Sequence, residues 1–251
     1  SGRLGLAGAA HSAGRGGCVG VWGRGRIEAA GEAETVRATA PGTVGHVSLD
    51  LASVASADAC ATALVKEEQT LDDVGDNSGV MAVDESKTDD GFETQLGVNH
   101  LGHFAFTAKL MPLLARTPGA RIVNQSSMGH RLGRLRIDDL FFERRDYKRW
   151  PPYFQSKLAN LLFTAELHRR LQEAGSPTKA LTAHPGGSRT DLGFEGSGLT
   201  NSGVQLGQIF LMPAASATVE RWPIVTPGRS TSAVSRLSVC GLPSRVDRSP
   251  V

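Results

Sequence analysis

Short apolar runs separated by longer stretches of helical periodicity recur through this chain, and that alternation restricts the fold more than any other feature. CVGVW (Cys18–Trp22), VGHVSL (Val44–Leu49), RIVNQSS (Arg121–Ser127) and the start of KALTAHPGG (Lys179–Gly187) have the length and branched apolar content of strands. Between them, residues 27–39 and SVASADACATALVKEEQ (Ser53–Gln69) read as helices, the latter with Ser53 as N-cap. Thr88-Asp89-Asp90 is expected to cap one long helix through GFETQLGVNHLGHFAFTAKLMPLLAR, closed by Pro118 and Gly119. A strand is also due within LDDVGDNSGVMA, where Asp73, Gly75 and Asp76 interrupt the apolar run. Strands alternating with helices build βαβ units with right-handed crossovers. The expected class is therefore α/β: a doubly wound parallel sheet in three layers, α/β/α.

In such a sheet the site lies beyond the carboxyl ends of the strands. The end of RIVNQSS, the end of TAHPG and the start of the next helix would gather there. That helix opens at Pro151-Pro152 and continues as YFQSKLANLLFTAELHRRLQEAG. Tyr153 and Lys157 are four residues apart and so share one of its faces. A nearby ammonium favours the phenolate, so Lys157 is expected to lower the Tyr153 pKa and suit it to moving a proton. On spacing alone such a pair reads first as surface neighbours on a helix. The strand-end serines of RIVNQSS add a hydroxyl to the same rim, and Ser126 by itself reads as a cap or core serine.

Composition narrows the classes of partner. The 251 residues carry a formal charge of +2, too small to point to nucleic acid or an anionic membrane, and the RG-rich residues 14–26 hold too few charges for RNA binding. No apolar run approaches the roughly 20 residues that span a bilayer, and no secretory leader is visible, so a cytoplasmic protein is expected. Cys18, Cys60 and Cys240 are odd in number and far apart, which suits reduced thiols. No metal site is expected, and His100 and His103 read as packing residues. From about Gly196 the chain becomes rich in Ser, Pro, Gly and Arg, with one apolar stretch near Val204–Met212. The expected organisation is one domain over 1–195, atypical in 1–43, followed by an irregular tail over 196–251.

Five strings occur in order: NSGV at 77–80, GFETQLGVNHLGHF at 91–104, RIVNQSS at 121–127, YFQSK at 153–157 and AHPGGSRTDL at 183–192. Together they resemble the short-chain dehydrogenase/reductase family, in the branch that holds retinol dehydrogenases. The resemblance covers residues 44–193 well and the first 43 poorly. It implies a Rossmann-like, nucleotide-holding fold and hydride transfer between NADP(H), or NAD(H), and a small hydrophobic alcohol or carbonyl. It further implies that Tyr153 is the general acid/base, Lys157 its modulator and a ribose ligand, and Ser127 the holder of the substrate oxygen. Asn99 resembles the residue that anchors a water leading to Lys157. Asp50 resembles an acid contacting adenine, Asn77 and Gly79 a turn against the cofactor, and Pro185, Gly186 and Thr190 the nicotinamide-side loop. Gly2 and Gly5 match the tail of a glycine turn for pyrophosphate or else belong to a flexible terminus, and Arg24, just past a strand, is placed for a 2′-phosphate or else is solvated. Relatives pair through their long helices, which implies a homodimer or tetramer.

The chain departs from the family pattern in three places. The first strand and most of the TGxxxGxG turn are missing or degraded, with Ser1-Gly2 falling inside or after that turn. Asp73, Gly75 and Asp76 break a strand that the family keeps apolar. Gln125 stands where a buried apolar residue is expected. The Arg/Gly-rich opening and the Ser/Arg/Pro-rich end resemble a truncated or frame-shifted copy. The competing expectation is accordingly a catalytically impaired or non-catalytic member of the same fold, a binding module or a chain without activity. The stretch 129–150, with Leu140, Phe141, Phe142 and Trp150, is expected to line a greasy substrate pocket or to serve as core or interface.

Overall fold

In the computed structural model, residues 19–23 and 44–184 are described. The elements run β1 (Val19–Gly23), β2 (Val44–Ser48), α1 (Val54–Glu67), β3 (Asp73–Asp76), α2 (Thr94–Leu96), a π-helical turn (Gly97–Leu101), α3 (Gly102–Arg116), β4 (Arg121–Gln125), α4 (Trp150–Glu173) and β5 (Lys179–Ala183). Two short 3₁₀ segments, Met128–Leu132 and Ile137–Asp139, lie between β4 and α4. All strand pairs are parallel: β1 with β2, and β3, β4 and β5 in that order as a second sheet among the described residues. The α/β class expected from the alternation holds. The expected helix at 27–39 and the tail after 195 lie outside the described residues.

The helices gather on the sheet by burying one apolar stripe each. Phe106, Leu110, Leu113 and Leu114 of α3 share a core with Ala57, Cys60, Ala61 and Leu64 of α1, with Leu71, and with Val74 and Ile122 of the sheet. α4 lies against the π turn, β4 and β5. Burial holds the Cys60 thiol up at about 12, so it stays protonated in the core.

Ser53 caps α1 as expected, its hydroxyl accepting from the Ser56 amide. The expected cap of the next helix is corrected. Glu93, not the Thr88–Asp90 cluster, holds the start of α2, accepting from the Gln95 and Leu96 amides at 2.8 and 2.7 Å. Asp90 serves α1 instead, its carboxylate accepting from the Val54 amide at 2.8 Å. The single helix expected over 91–116 is also broken by the π turn.

The interruptions expected in β3 prove to be part of it. Asp73 faces its in-register partner Arg121 across the ladder, Oδ1 to Nε at 3.0 Å. Val74 is fully buried. Asp76 is buried beside the α3 stripe and accepts a hydrogen bond from the Thr107 hydroxyl at 3.0 Å. Gln125 is likewise not the buried amide expected: its side chain is half-exposed at the end of β4, because the burial of that strand alternates and Ile122 and Asn124 take the inner positions.

Burial pushes the Asp76 carboxyl up to about 7, against the Thr107 hydrogen bond, which favours the charged form. Between its ordinary pKa of 3.8 and about 7 the folded state holds a proton that the unfolded state releases. Stability therefore falls as pH rises through that window and stays low above it. Asp76→Asn keeps an acceptor for Thr107 and removes the charge. It is expected to raise stability by roughly 1–3 kcal/mol at pH 8 and by less at pH 5, read as thermal melting at both values. An equal gain at the two values would contradict the assignment.

Candidate active site

The first two turns of α4 carry the chemistry. Pro151 and Pro152 occupy the first turn, where amide hydrogens have no intrahelical partner, so the helix starts there without cost. Tyr153, Lys157 and Asn160 then follow at a spacing that puts all three on one face. This face is turned inward: Tyr153 and Lys157 are only 6% and 4% exposed.

The end of β4 meets that face. Ser126 is the core serine of the pair, its buried hydroxyl donating to the Lys157 carbonyl at 2.8 Å. Ser127, the next residue, is half-buried, caps the following 3₁₀ segment by accepting from the Gly129 amide, and lies near enough to the Tyr153 phenol to favour its phenolate. The expected meeting of hydroxyl and phenol is thus realised. Trp150 and Phe154 stand beside the phenol, with ring centroids 6.1 and 6.0 Å from it.

The Lys157 ammonium donates to the Gln125 carbonyl at 3.3 Å, and Asn160 Nδ2 donates to the same oxygen at 3.0 Å. Burial lowers the Lys157 pKa to about 8, so the charge is held at a cost. The expected depression of the tyrosine pKa is corrected. Burial of Tyr153 pushes its pKa up and outweighs the nearby Ser127 side chain, which favours the phenolate; the Lys157 nitrogen lies 5.8 Å from the ring centre.

Asn99 lies in the π turn, completely buried. Its side chain clamps Val80 at both ends, accepting from the amide at 2.8 Å and donating to the carbonyl at 2.9 Å, and also donates to the Ser156 hydroxyl. Its backbone carbonyl accepts from Asn160 Nδ2 and from the His103 ring. The turn makes this carbonyl available because a π turn displaces the ordinary helical bonding. His103 is driven down to about 3 by burial first and by the Lys157 charge second, and so remains neutral.

Asn160 is the residue that sequence reasoning missed. Its amide is fully used, donating to Asn99 and Gln125 and accepting from the His100 ring at 2.9 Å. It ties α4, the π turn and β4 at one point. The signal was present in its place one turn beyond Lys157 on the Tyr153 face.

Asn77 and Gly79 follow the end of β3 and are half-buried. Gly79 makes a close approach: a Cβ there would stand 2.7 Å from Asn99 Oδ1 and 3.6 Å from Lys157 Nζ. Asp50, after β2, uses one carboxylate oxygen to accept from the Ala52 amide at 2.9 Å, shaping the turn into α1. Gly2, Gly5, Arg24, Pro185, Gly186 and Thr190 lie outside the described residues. Among the described residues no group of three His, Cys, Asp or Glu side chains could hold a metal ion.

A family model described as short chain dehydrogenase matches residues 1–195. The chain belongs to the short-chain dehydrogenase family. It is 44% identical over 177 residues to retinol dehydrogenase 13 of Homo sapiens, covering 70% of this chain and 53% of that protein. It is 40% identical over 195 residues to retinol dehydrogenase 11 of Mus musculus, covering 77% and 60%. A solved structure of an uncharacterized protein from Mycobacterium Paratuberculosis superposes with a TM-score of 0.68 at 44% identity, covering 78% of this chain and 68% of that one. The chain spans about half the length of the human relative.

Gly79→Ala is expected to force Asn99 or the 77–80 turn aside and to lower stability by about 1–3 kcal/mol, as overpacking does. Thermal melting checks this; an unchanged melting temperature would show that the turn gives way freely.

Proposed function

We propose that this chain is an oxidoreductase that moves a hydride between a nicotinamide dinucleotide, NADP(H) in preference to NAD(H), and a small hydrophobic alcohol or carbonyl. The observation that carries the reading is the convergence of the Ser127 hydroxyl and the Tyr153 phenol beside a buried ammonium. It favours a working enzyme over the non-catalytic alternative, since a relic has no cause to keep a cation buried.

The residues present fit the ribose side of such a cofactor. Lys157 uses one N–H on Gln125 and has two left for hydroxyl acceptors. Gly79 lets the turn approach Asn99 and Lys157 more closely than any side chain would allow. When bound, the dinucleotide supplies or accepts the hydride. Ser127 holds the substrate oxygen in line with the Tyr153 phenol. Tyr153 then gives its proton to that oxygen in reduction and takes it back in oxidation. Lys157 stands behind the phenol, its nitrogen 5.8 Å from the ring centre, as a fixed positive charge for the forming phenolate. Asn160 and the Asn99 carbonyl keep Lys157 and the π turn in place.

The likeness to retinol dehydrogenases supports a hydrophobic substrate, as do the local aromatics. Trp150 stacks on Phe154 at 5.6 Å beside the phenol, and Met128, Leu132 and Ile137 are exposed on the segment after Ser127. Phe142 belongs to the core rather than to this wall. NADP over NAD rests on Arg24, and a homodimer or tetramer on the family resemblance. A reducing, cytosol-like compartment accords with the free Cys60 thiol. No helix among the described residues is long and apolar enough to cross a membrane.

Tyr153→Phe is expected to lower turnover of a hydrophobic aldehyde by about 10²–10⁴-fold while leaving NADPH binding intact, measured by cofactor absorbance and by fluorescence titration. Retained turnover would sink the role of the phenol, and absent binding in the wild type would favour the non-catalytic alternative. The pH dependence has a set sign. Lys157 loses its proton as pH rises through about 8, so cofactor affinity is expected to weaken above that value and not below it. A titration of affinity from pH 6 to pH 9.5 checks this.

A further inference from the structure

Gln95 is completely buried and makes four hydrogen bonds, three of them from its side chain to two separate segments. Its own amide donates to Glu93 Oε1 at 2.8 Å, its side-chain oxygen accepts from the Ala82 amide at 2.9 Å, and its side-chain nitrogen donates to the Tyr147 hydroxyl at 2.9 Å and the Arg149 carbonyl at 2.8 Å. Every polar atom of that side chain is used. The segments it joins are the ones that the site needs in fixed relation. Ala82 lies three residues after Gly79, in the run that leaves the turn proposed to face the cofactor. Arg149 is the cap residue of α4, four residues before Tyr153.

The run after Gly79 is held residue by residue. Val80 is clamped by Asn99, Ala82 by Gln95, Val83 accepts from the Tyr147 hydroxyl at 3.2 Å, and Asp84 meets the Arg149 guanidinium at 2.9 Å. Ala82 itself has φ +53, a left-handed conformation that alanine adopts only when its surroundings impose it. The strain sits at the residue that Gln95 grips. On the other side, the 137–149 segment is fastened to α4 by a second buried glutamine. Gln155 donates to the Leu140 carbonyl at 2.8 Å and accepts from Arg145, which also binds Asp139. Phe142, also left-handed at φ +59, lies under the Arg145 guanidinium, 3.7 Å from its ring centre.

We propose that Gln95 is a positioning residue for catalysis: by bridging Ala82 to Arg149 and Tyr147 it fixes the Asn77–Gly79 turn at a set distance from the Tyr153 end of α4. This rests on the proposed reaction, because its value to the protein is the register between cofactor turn and proton donor. A second buried amide, Asn99, ties Val80 to Ser156 further along α4, whereas Gln95 ties Ala82 to the cap of that helix. Without Gln95, Ala82 is expected to relax to a negative φ, moving the turn while leaving the sheet core alone.

The test compares Gln95→Met with Leu64→Ala, a core variant on α1 remote from the site, and uses Tyr147→Phe as a milder cut of the same bridge. Hydrogen exchange is followed by mass spectrometry together with kcat, cofactor affinity and melting temperature. In Gln95→Met, exchange at 80–84 and at 145–157 is expected to rise together, with β4 and β5 unchanged. The kcat should fall at least about tenfold, more than in a Leu64→Ala protein of equal melting temperature. Tyr147→Phe should show the same pattern more weakly, and it decides the matter if Gln95→Met fails to fold. Exchange rising in only one segment or in neither, or an equal loss of kcat in Leu64→Ala, overturns the proposal. A wild type without turnover would instead strike the reaction assigned above, and the paired exchange would still judge the bridge.

Discussion

Burying the Lys157 ammonium is the interaction on which the rest of the site depends. A charge taken out of water is tolerated only where oxygens replace the lost hydration, and here the Gln125 carbonyl at the end of β4 does so at 3.3 Å. Because the same carbonyl also receives Asn160, and because Ser126 reaches back to the Lys157 carbonyl, the strand end and the helix are locked in one register. Ser127 follows Ser126 in sequence, so fixing one places the other. The meeting of Ser127 with Tyr153 is a consequence of that lock.

The site is polar for a reason that extends beyond it. The carboxyl ends of β3 and β4 bring Asp76 and Asn124 side by side in register, buried, where an ordinary sheet would hold aliphatic residues. The adjoining π turn frees a backbone carbonyl for Asn160 and His103. Asp76 is met by Thr107 and Asn160 by Asn99, Gln125 and His100, and the apolar core of α1 and α3 lies one layer further in. A packed interior of this kind transmits small displacements rather than absorbing them, which is why the segment from Val80 to Asp84 is held at so many points.

Much of this was readable in the residues. Tyr153, Lys157 and Ser127 could be found because helix periodicity and strand-end position are local properties, and the structure brings them together. Ser53 was legible for the same reason, a cap being written in a few consecutive residues. What escaped were properties of distant pairs. β3 looked broken because the partners of its aspartates, Arg121 and Thr107, lie tens of residues away. Gln125 looked costly because its side chain was judged, whereas its carbonyl does the binding. Gln95 and Asn160 look like surface amides on their helices until the neighbours that saturate them are known. The sign of the tyrosine pKa shift is not legible because burial, invisible along the chain, outweighs the Ser127 hydroxyl that favours the phenolate.

The account stands or falls on hydride transfer at this site. Wild-type protein incubated with NADPH deuterated at the transferable nicotinamide position and a hydrophobic aldehyde gives the direct measurement, by mass spectrometry of the alcohol formed. One deuterium on the carbinol carbon is the result expected. No alcohol, or alcohol without the label, in protein that is folded and binds the cofactor would contradict it.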